Sequence, residues 1–319
     1  MSSAQDGGAE RPSWAPPQLS GPEGPRLHAA LRSLELTVRG RLDGLLQGNH
    51  LGLVPGPGTE PGEARVYQPG DDVRRMDWAV TARTSEPHIR QTVADRELET
   101  WVAMDLSPSL DFGSAACDKR ELAIAALAAV THLTSGGGNR IGAVVDTGTG
   151  PVRLPARGGL GHARALLRRV AEVPRAEVGT RGDLAGLLES LRRPPRRRGL
   201  AVVVSDFLGD QDWRRALRGL GARHSLLAVE VLDPRDVELP DVGTVVLSDP
   251  ETGEQREVRT TPLLRKEFAA AAAAHREEVA VALRRAGCAH LVLRTDSDWI
   301  ADVVRFVVAR KRGWSGGAA

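Results

Sequence analysis

The sequence predicts an α/β protein with a doubly wound, mostly parallel sheet, preceded by an N-terminal helix and a small β-rich elaboration. Three observations predict it. From about residue 99, short strand-like runs alternate with longer segments of helical periodicity, the pattern of βαβ units. Runs such as Leu200-Ala201-Val202-Val203-Val204 are apolar without a break, which suits strands covered on both faces. Two runs stop at an aspartate, Asp105 and Asp206, and open α/β sheets bind ligands beyond the carboxyl ends of their strands.

The elements follow in order. Residues 1–26 are rich in Pro, Gly, Ser and Ala and lack apolar periodicity, so a disordered tail is expected. Residues 27–47 set Leu31, Leu34, Val38, Leu42, Leu45 and Leu46 at helical spacing and predict an amphipathic helix. The Gly- and Pro-rich stretch 48–62 predicts a loop. Residues 64–68 and 88–94 predict short strands around a charged segment that contains Trp78. A solvated loop rarely needs a tryptophan, so Trp78 is expected to pack against the main domain. Strands are then expected at 100–106, 140–146, 200–205, 225–232 and 290–294, and helices at 118–134, 161–173, 183–191, 212–220, 262–286 and 298–311. Residues 243–260, with Asp249-Pro250-Glu251-Thr252-Gly253 at their centre, predict an inserted hairpin. The chain thus divides into a tail (1–26), an N-terminal helix with its elaboration (27–98), the α/β domain (99–312) and a flexible end (313–319).

Composition excludes several classes of function. The 319 residues suffice for a sizeable core, and the formal charge of +2 carries no global signal for nucleic acid or membrane. The basic run Arg192-Arg193-Pro194-Pro195-Arg196-Arg197-Arg198 connects a helix to a buried strand in an arginine-rich chain, where a solvated connection is expected, so no nucleic-acid partner follows from it. Cys117 and Cys288 show no metal spacing and suggest a reducing compartment; Cys117 is expected to be a small buried side chain. There is no basic stretch followed by an apolar core at the N-terminus, and no apolar run approaches the ~18 residues that span a bilayer. A cytoplasmic protein without a membrane span is expected. The loop Gly56–Gly62 lacks the Lys and Ser/Thr ending of a P-loop. No Gly-x-Ser-x-Gly elbow surrounds Ser107 or Ser109, the eight histidines lack zinc-site spacing, and no catalytic residue stands out.

The pattern that carries chemistry is Asp105-x-Ser107-x-Ser109. One carboxylate and two hydroxyls at alternate positions beyond a strand can converge on a hard cation, and Mg²⁺ or Mn²⁺ is the expected ion. If the strand ending at Ser205 is a neighbour, Asp206 falls beside this loop. Asp and Ser at strand ends also cap helices and close turns, the plainer use of the same residues.

With the helix that follows and the later Asp206, this loop resembles the metal-ion-dependent adhesion site of von Willebrand factor A-type domains. A longer block is more specific. Arg65-Val-Tyr67-Gln-Pro69-Gly70-Asp71-Asp72-Val-Arg74-Arg75-Met-Asp77-Trp78, then Thr81-Ala82-Arg83, Arg96-Glu97-Leu98, Phe112-Gly113 and Lys119, closely resembles the signature of the bacterial DUF58 family, over about residues 30–312. The resemblance implies an A-type domain with an N-terminal elaboration, working beside a MoxR-type AAA+ ATPase or its client in the maturation or remodelling of other complexes. It also implies a Thr ligand in a Gly-Thr-Asp-Leu loop. This chain reads Gly179-Thr180-Arg181-Gly182-Asp183-Leu184, so the matching position is Gly182, and Thr180 or Asp183 stands in after a loop shift.

Asp71, Asp72 and Asp77 interleave with Arg74, Arg75 and Arg83 around Trp78. They form either a structural ion-pair network with Trp78 filling a groove, or a partner-facing surface. The leading expectation is a non-enzymatic, chaperone-like interaction module. The alternatives are a metal-dependent phosphohydrolase, against which Ser107 stands where a haloacid-dehalogenase-type enzyme wants Asp, and a metal-free scaffold.

Overall fold

The computed structural model describes residues 11–19, 24–45, 64–67, 76–84, 86–90, 98–134, 138–192, 199–209 and 211–315. A six-stranded sheet organises them. Its strands are β3 (Glu99–Asp105), β4 (Arg140–Asp146), β5 (Val152–Gly158), β6 (Gly199–Ser205), β7 (Ser225–Leu232) and β10 (Cys288–Arg294), in the order β10-β7-β6-β3-β4-β5. Every neighbouring pair is parallel except β4 with β5. The expected fold class is therefore observed. Two short antiparallel pairs lie outside this sheet: β1 (Ala64–Val66) with β2 (His88–Arg90), and β8 (Thr244–Ser248) with β9 (Gln255–Arg259).

The apolar runs serve two cores at once. Side chains alternate across a strand, so Val102 and Met104 join one core while Trp101 and Ala103 join the other; in β6, Leu200, Val202 and Val204 part from Ala201 and Val203 in the same way. The first core is covered by α1 (Pro25–Leu45), α3 (Lys119–Thr134), α4 (Leu160–Ala171) and α9 (Trp299–Ser315). The second is covered by α5 (Leu184–Leu191), α6 (Trp213–Gly221) and α8 (Pro262–Arg285). Helix α3 is buried along nearly its whole length because α1 lies over it. The α2 helix (Trp78–Thr84) sits between β1 and β2 in the chain, and the single turn α7 (Pro234–Val237) follows β7.

Helix α1 belongs to the same cooperative core, since Leu34, Val38 and Leu42 are each 1% exposed within it. Val38→Ala removes two buried carbon groups and leaves a small cavity, so it should cost about 2 kcal/mol. Urea denaturation checks this: the midpoint falls while the transition stays single. A separate early transition would mean that α1 is not part of the sheet's folding unit.

Two expectations change. The tail is not featureless at 11–19: Leu19 is 5% exposed, Trp299 Nε1–H donates to the Trp14 carbonyl at 2.9 Å, and Arg11 pairs with Glu121 at 2.5 Å. These are single contacts without period, which is why composition suggested disorder. The second change is Trp78, which is 70% exposed. It is the first residue of α2, and its indole lies outside, not in a groove.

Candidate functional site

The site grows from the ends of β3 and β6. Register places Met104 opposite Val204, so Asp105 comes level with Ser205. The Asp105 carboxylate accepts the Ser107 backbone N–H at 3.1 Å and the Ser205 hydroxyl at 2.7 Å. Ser107 then leads into a single 3₁₀ turn, Pro108–Asp111, which brings Ser109 round until its Oγ is 3.2 Å from the Ser107 Oγ. Asp105, Ser107 and Ser109 are all buried. The β6 end is sharply bent: Phe207 has φ 56°, a left-handed backbone that costs a non-glycine residue about 1–2 kcal/mol. Its ring sits edge-on to Trp213 at 5.1 Å, and its carbonyl accepts a hydrogen bond from His275 Nε2 at 3.0 Å, which holds the bend. The bend aims Asp206 into the same cavity as Asp105 and Ser107, a space of about 200 Å³.

The charges here are only partly compensated. Lys119, at the start of α3, is 1% exposed and lies 2.9 Å from Asp206 and 3.1 Å from Asp236. Burial opposes the ammonium charge, but the two carboxylates outweigh it and hold Lys119 above its usual range. Asp105 has no cationic partner among the described residues. Burial, and after it the charge of Asp206, push its carboxyl up to about 6. Asp146, at the end of β4, is also buried, but its carboxylate is spent on the N–H groups of Gly148 and Gly150 at 2.8 and 3.1 Å.

The expected residues fall out as follows. Asp105, Ser107, Ser109 and Asp206 are gathered. Thr180 is not among the residues lining the cavity; its hydroxyl donates to the Glu177 carbonyl and its Cβ faces the Gly148 turn. Asp183 does line the cavity, and one of its carboxylate oxygens caps α5 by accepting the Gly186 N–H at 2.7 Å. The position that touches the site is 182, as its place in the loop implied: a Cβ there would come 2.9 Å from Ser107 Cβ and 3.7 Å from Asp105 Oδ1. Gly182 brings backbone to that spot and no hydroxyl. The loop is drawn in so tightly that a threonine would need Ser107 to move.

In the N-terminal block, Asp77 caps α2 by accepting the Val80 N–H at 3.2 Å, Trp78 and Arg83 are exposed, and Asp71, Asp72 and Arg74 lie outside the described residues. Of the basic run, 193–198 lie outside them as well. Cys117 is buried, and burial pushes its thiol up to about 12, so it is inert at neutral pH. Sequence reasoning missed Lys119 as the counter-ion of Asp206, Ser205 as the second donor to Asp105, and Glu251, which reaches the cavity from the β8–β9 turn. The signal for Lys119 was its place near the start of an otherwise apolar helix, since a buried lysine needs a partner. Nothing in the sequence marked Glu251.

The donor set suits a hard cation held weakly: one carboxylate without a counter-ion, two converging hydroxyls and a second carboxylate already shared with lysine. Among the described residues, no three His, Cys, Asp or Glu side chains stand close enough to hold a metal by themselves.

The family described as "Protein of unknown function DUF58" matches residues 63–278. The chain belongs to the DUF58 family. An uncharacterized protein of Mycobacterium tuberculosis strain H37Rv is 63% identical over 289 residues, 91% of each chain, and one of Mycobacterium bovis matches equally. Among solved structures, the conserved hypothetical protein BatB of Bacteroides thetaiotaomicron is 13% identical with a TM-score of 0.41, covering 67% of this chain and 99% of that one. A von Willebrand factor type A protein of Catenulispora acidiphila is 18% identical with a TM-score of 0.32, covering 58% and 44%. Likenesses this distant do not bear on function. Among the described residues no helix is long and apolar enough to cross a membrane.

Proposed function

We propose that this DUF58 protein is a docking module, not a catalyst. Its strand-end loop seats Mg²⁺ or Mn²⁺ through Asp105, Ser107 and Ser109, with Asp206 acting through water. It meets a MoxR-type AAA+ ATPase, or a client of that ATPase, in the assembly or remodelling of a complex. One observation carries the cation: Asp105 is a buried carboxylate, lacks a counter-ion among the described residues, and stands beside two hydroxyls whose oxygens are 3.2 Å apart. A buried charge without a partner is expensive, and a divalent ion would offset it. The ion, when bound, offers an open position to an oxygen of the partner. Phe112, Val178 and Leu208, exposed on the loops that carry the site, give that partner apolar surface. The family resemblance is what points to the ATPase.

Affinity capture from the native host, with and without chelator, tests the reading. Co-purification of an AAA+ ATPase that chelator or Asp105→Ala abolishes supports it. Capture indifferent to both supports the metal-free scaffold instead. The site also predicts a pH dependence. A proton and the cation compete for Asp105, whose carboxyl sits at about 6. Apparent Mn²⁺ affinity should therefore fall about tenfold per pH unit below that value and level off above it; titrations across pH 5–8 check it.

A further inference from the structure

The β8–β9 hairpin is almost bare. Val245 and Val258 are its half-buried positions, and the rest of both strands is exposed. Its tip, in contrast, is held. Asp249 shapes the turn by accepting the Glu251 N–H at 2.9 Å and the Thr252 hydroxyl at 2.8 Å. The Pro250 carbonyl accepts the Gly179 N–H at 3.0 Å, which fastens the tip to the loop leading to Gly182. That loop leans on Ser107. Glu251 thereby reaches the cavity that Asp105, Ser107 and Asp206 line, where its carboxylate meets the Gly182 backbone. Trp213, 1% exposed, belongs to the same lining, and its Nε1–H has no hydrogen-bond partner among the described residues.

We infer that the β8–β9 hairpin is an intramolecular strap, and that Glu251 closes over the cation seat and takes the coordination position a docking partner must win. The inference rests on the docking-site reading above and adds its regulation. Position 182 withholds a hydroxyl, so the seat is short of one oxygen donor, and the carboxylates around it differ in freedom. Asp183 caps α5 and Asp206 pairs with Lys119. Asp212 stands at the start of α6, a helix packed into the second core. Glu251 alone of these four sits on an exposed hairpin outside the central sheet and its packed helices. Burial and the charges of Asp206 and Asp105 push Glu251 upward. Without a cation these carboxylates repel one another; with one, the repulsion becomes attraction and the hairpin is drawn in. A carboxylate on the partner then competes with a tethered carboxylate, not with water.

Water-proton relaxivity of bound Mn²⁺ counts the waters left on the ion. In the full-length protein, E251Q keeps the shape of the side chain and should fold normally. It is expected to weaken Mn²⁺ about tenfold and to raise the relaxivity of the bound ion by the contribution of one inner-sphere water. Asp212→Asn should change neither. Mn²⁺ should slow amide exchange over residues 249–254 in the wild type and not in E251Q. Wild-type affinity and relaxivity in E251Q, with Mn²⁺ binding still abolished by Asp105→Ala, would overturn the strap and leave the docking site standing. Absence of Mn²⁺ binding by the wild type would overturn both.

Discussion

Lys119→Met is expected to lower stability by about 3–5 kcal/mol, the cost of leaving buried carboxylates without their cation. The ammonium lies 2.9 Å from Asp206 and 3.1 Å from Asp236, at 1% exposure. Met keeps the length of the stem, so packing is largely preserved and the loss is electrostatic. Burial already holds the Asp236 carboxyl above its usual range, so its protonation relieves part of the strain and the deficit should shrink as pH falls. Lys119→Met/Asp206→Asn should recover part of the loss, because one of the two stranded charges is gone. Urea denaturation at two pH values checks all three statements. A pH-independent deficit would mean that Lys119 contributes only its hydrocarbon stem.

Asp105→Asn should do the opposite and stabilise the metal-free protein at pH 7.5 by about 1–3 kcal/mol. The sign follows from the carboxyl lying at about 6 in the folded protein against an ordinary 3.8. The folded state prefers the protonated form, so wild-type stability is fully present below about 4 and is lost as pH rises through about 6. The amide carries no charge to bury. Its advantage should be largest above pH 7 and disappear near pH 4. The same substitution should abolish stabilisation by added Mg²⁺ or Mn²⁺. A variant that is both more stable alone and deaf to the cation is the expected signature of a residue kept for binding at the expense of the fold. Thermal melts with and without cation measure both effects. Destabilisation at every pH would show that Asp105 is instead a structural cap.

The strands that meet both cores were legible because their apolar runs have no other use, and their aspartate ends were legible because the runs stop there. β5 was missed for the reverse reason. It is an edge strand, mostly exposed, with Arg153 and Arg157 among its residues and Pro155 in its middle, so neither a buried run nor clean alternation marks it. Gly142 betrays it only in the structure, where a Cβ would come 2.8 Å from the Ala156 nitrogen. The pairing of Asp105 with Ser205 followed once β3 and β6 were neighbours. What local spacing could not show was the long-range closure: Glu251 reaching in from the β8–β9 turn, and Lys119 spanning 87 positions to Asp206. Those contacts are made by the topology.

If the end of β3 seats a divalent ion, titrating Mn²⁺ with the protein at pH 7.5 should remove the resonance of the free ion. One Mn²⁺ bound per chain, abolished by Asp105→Ala and sharply weakened by Ser107→Ala, is the predicted result; a free-ion signal undiminished by millimolar protein would contradict it.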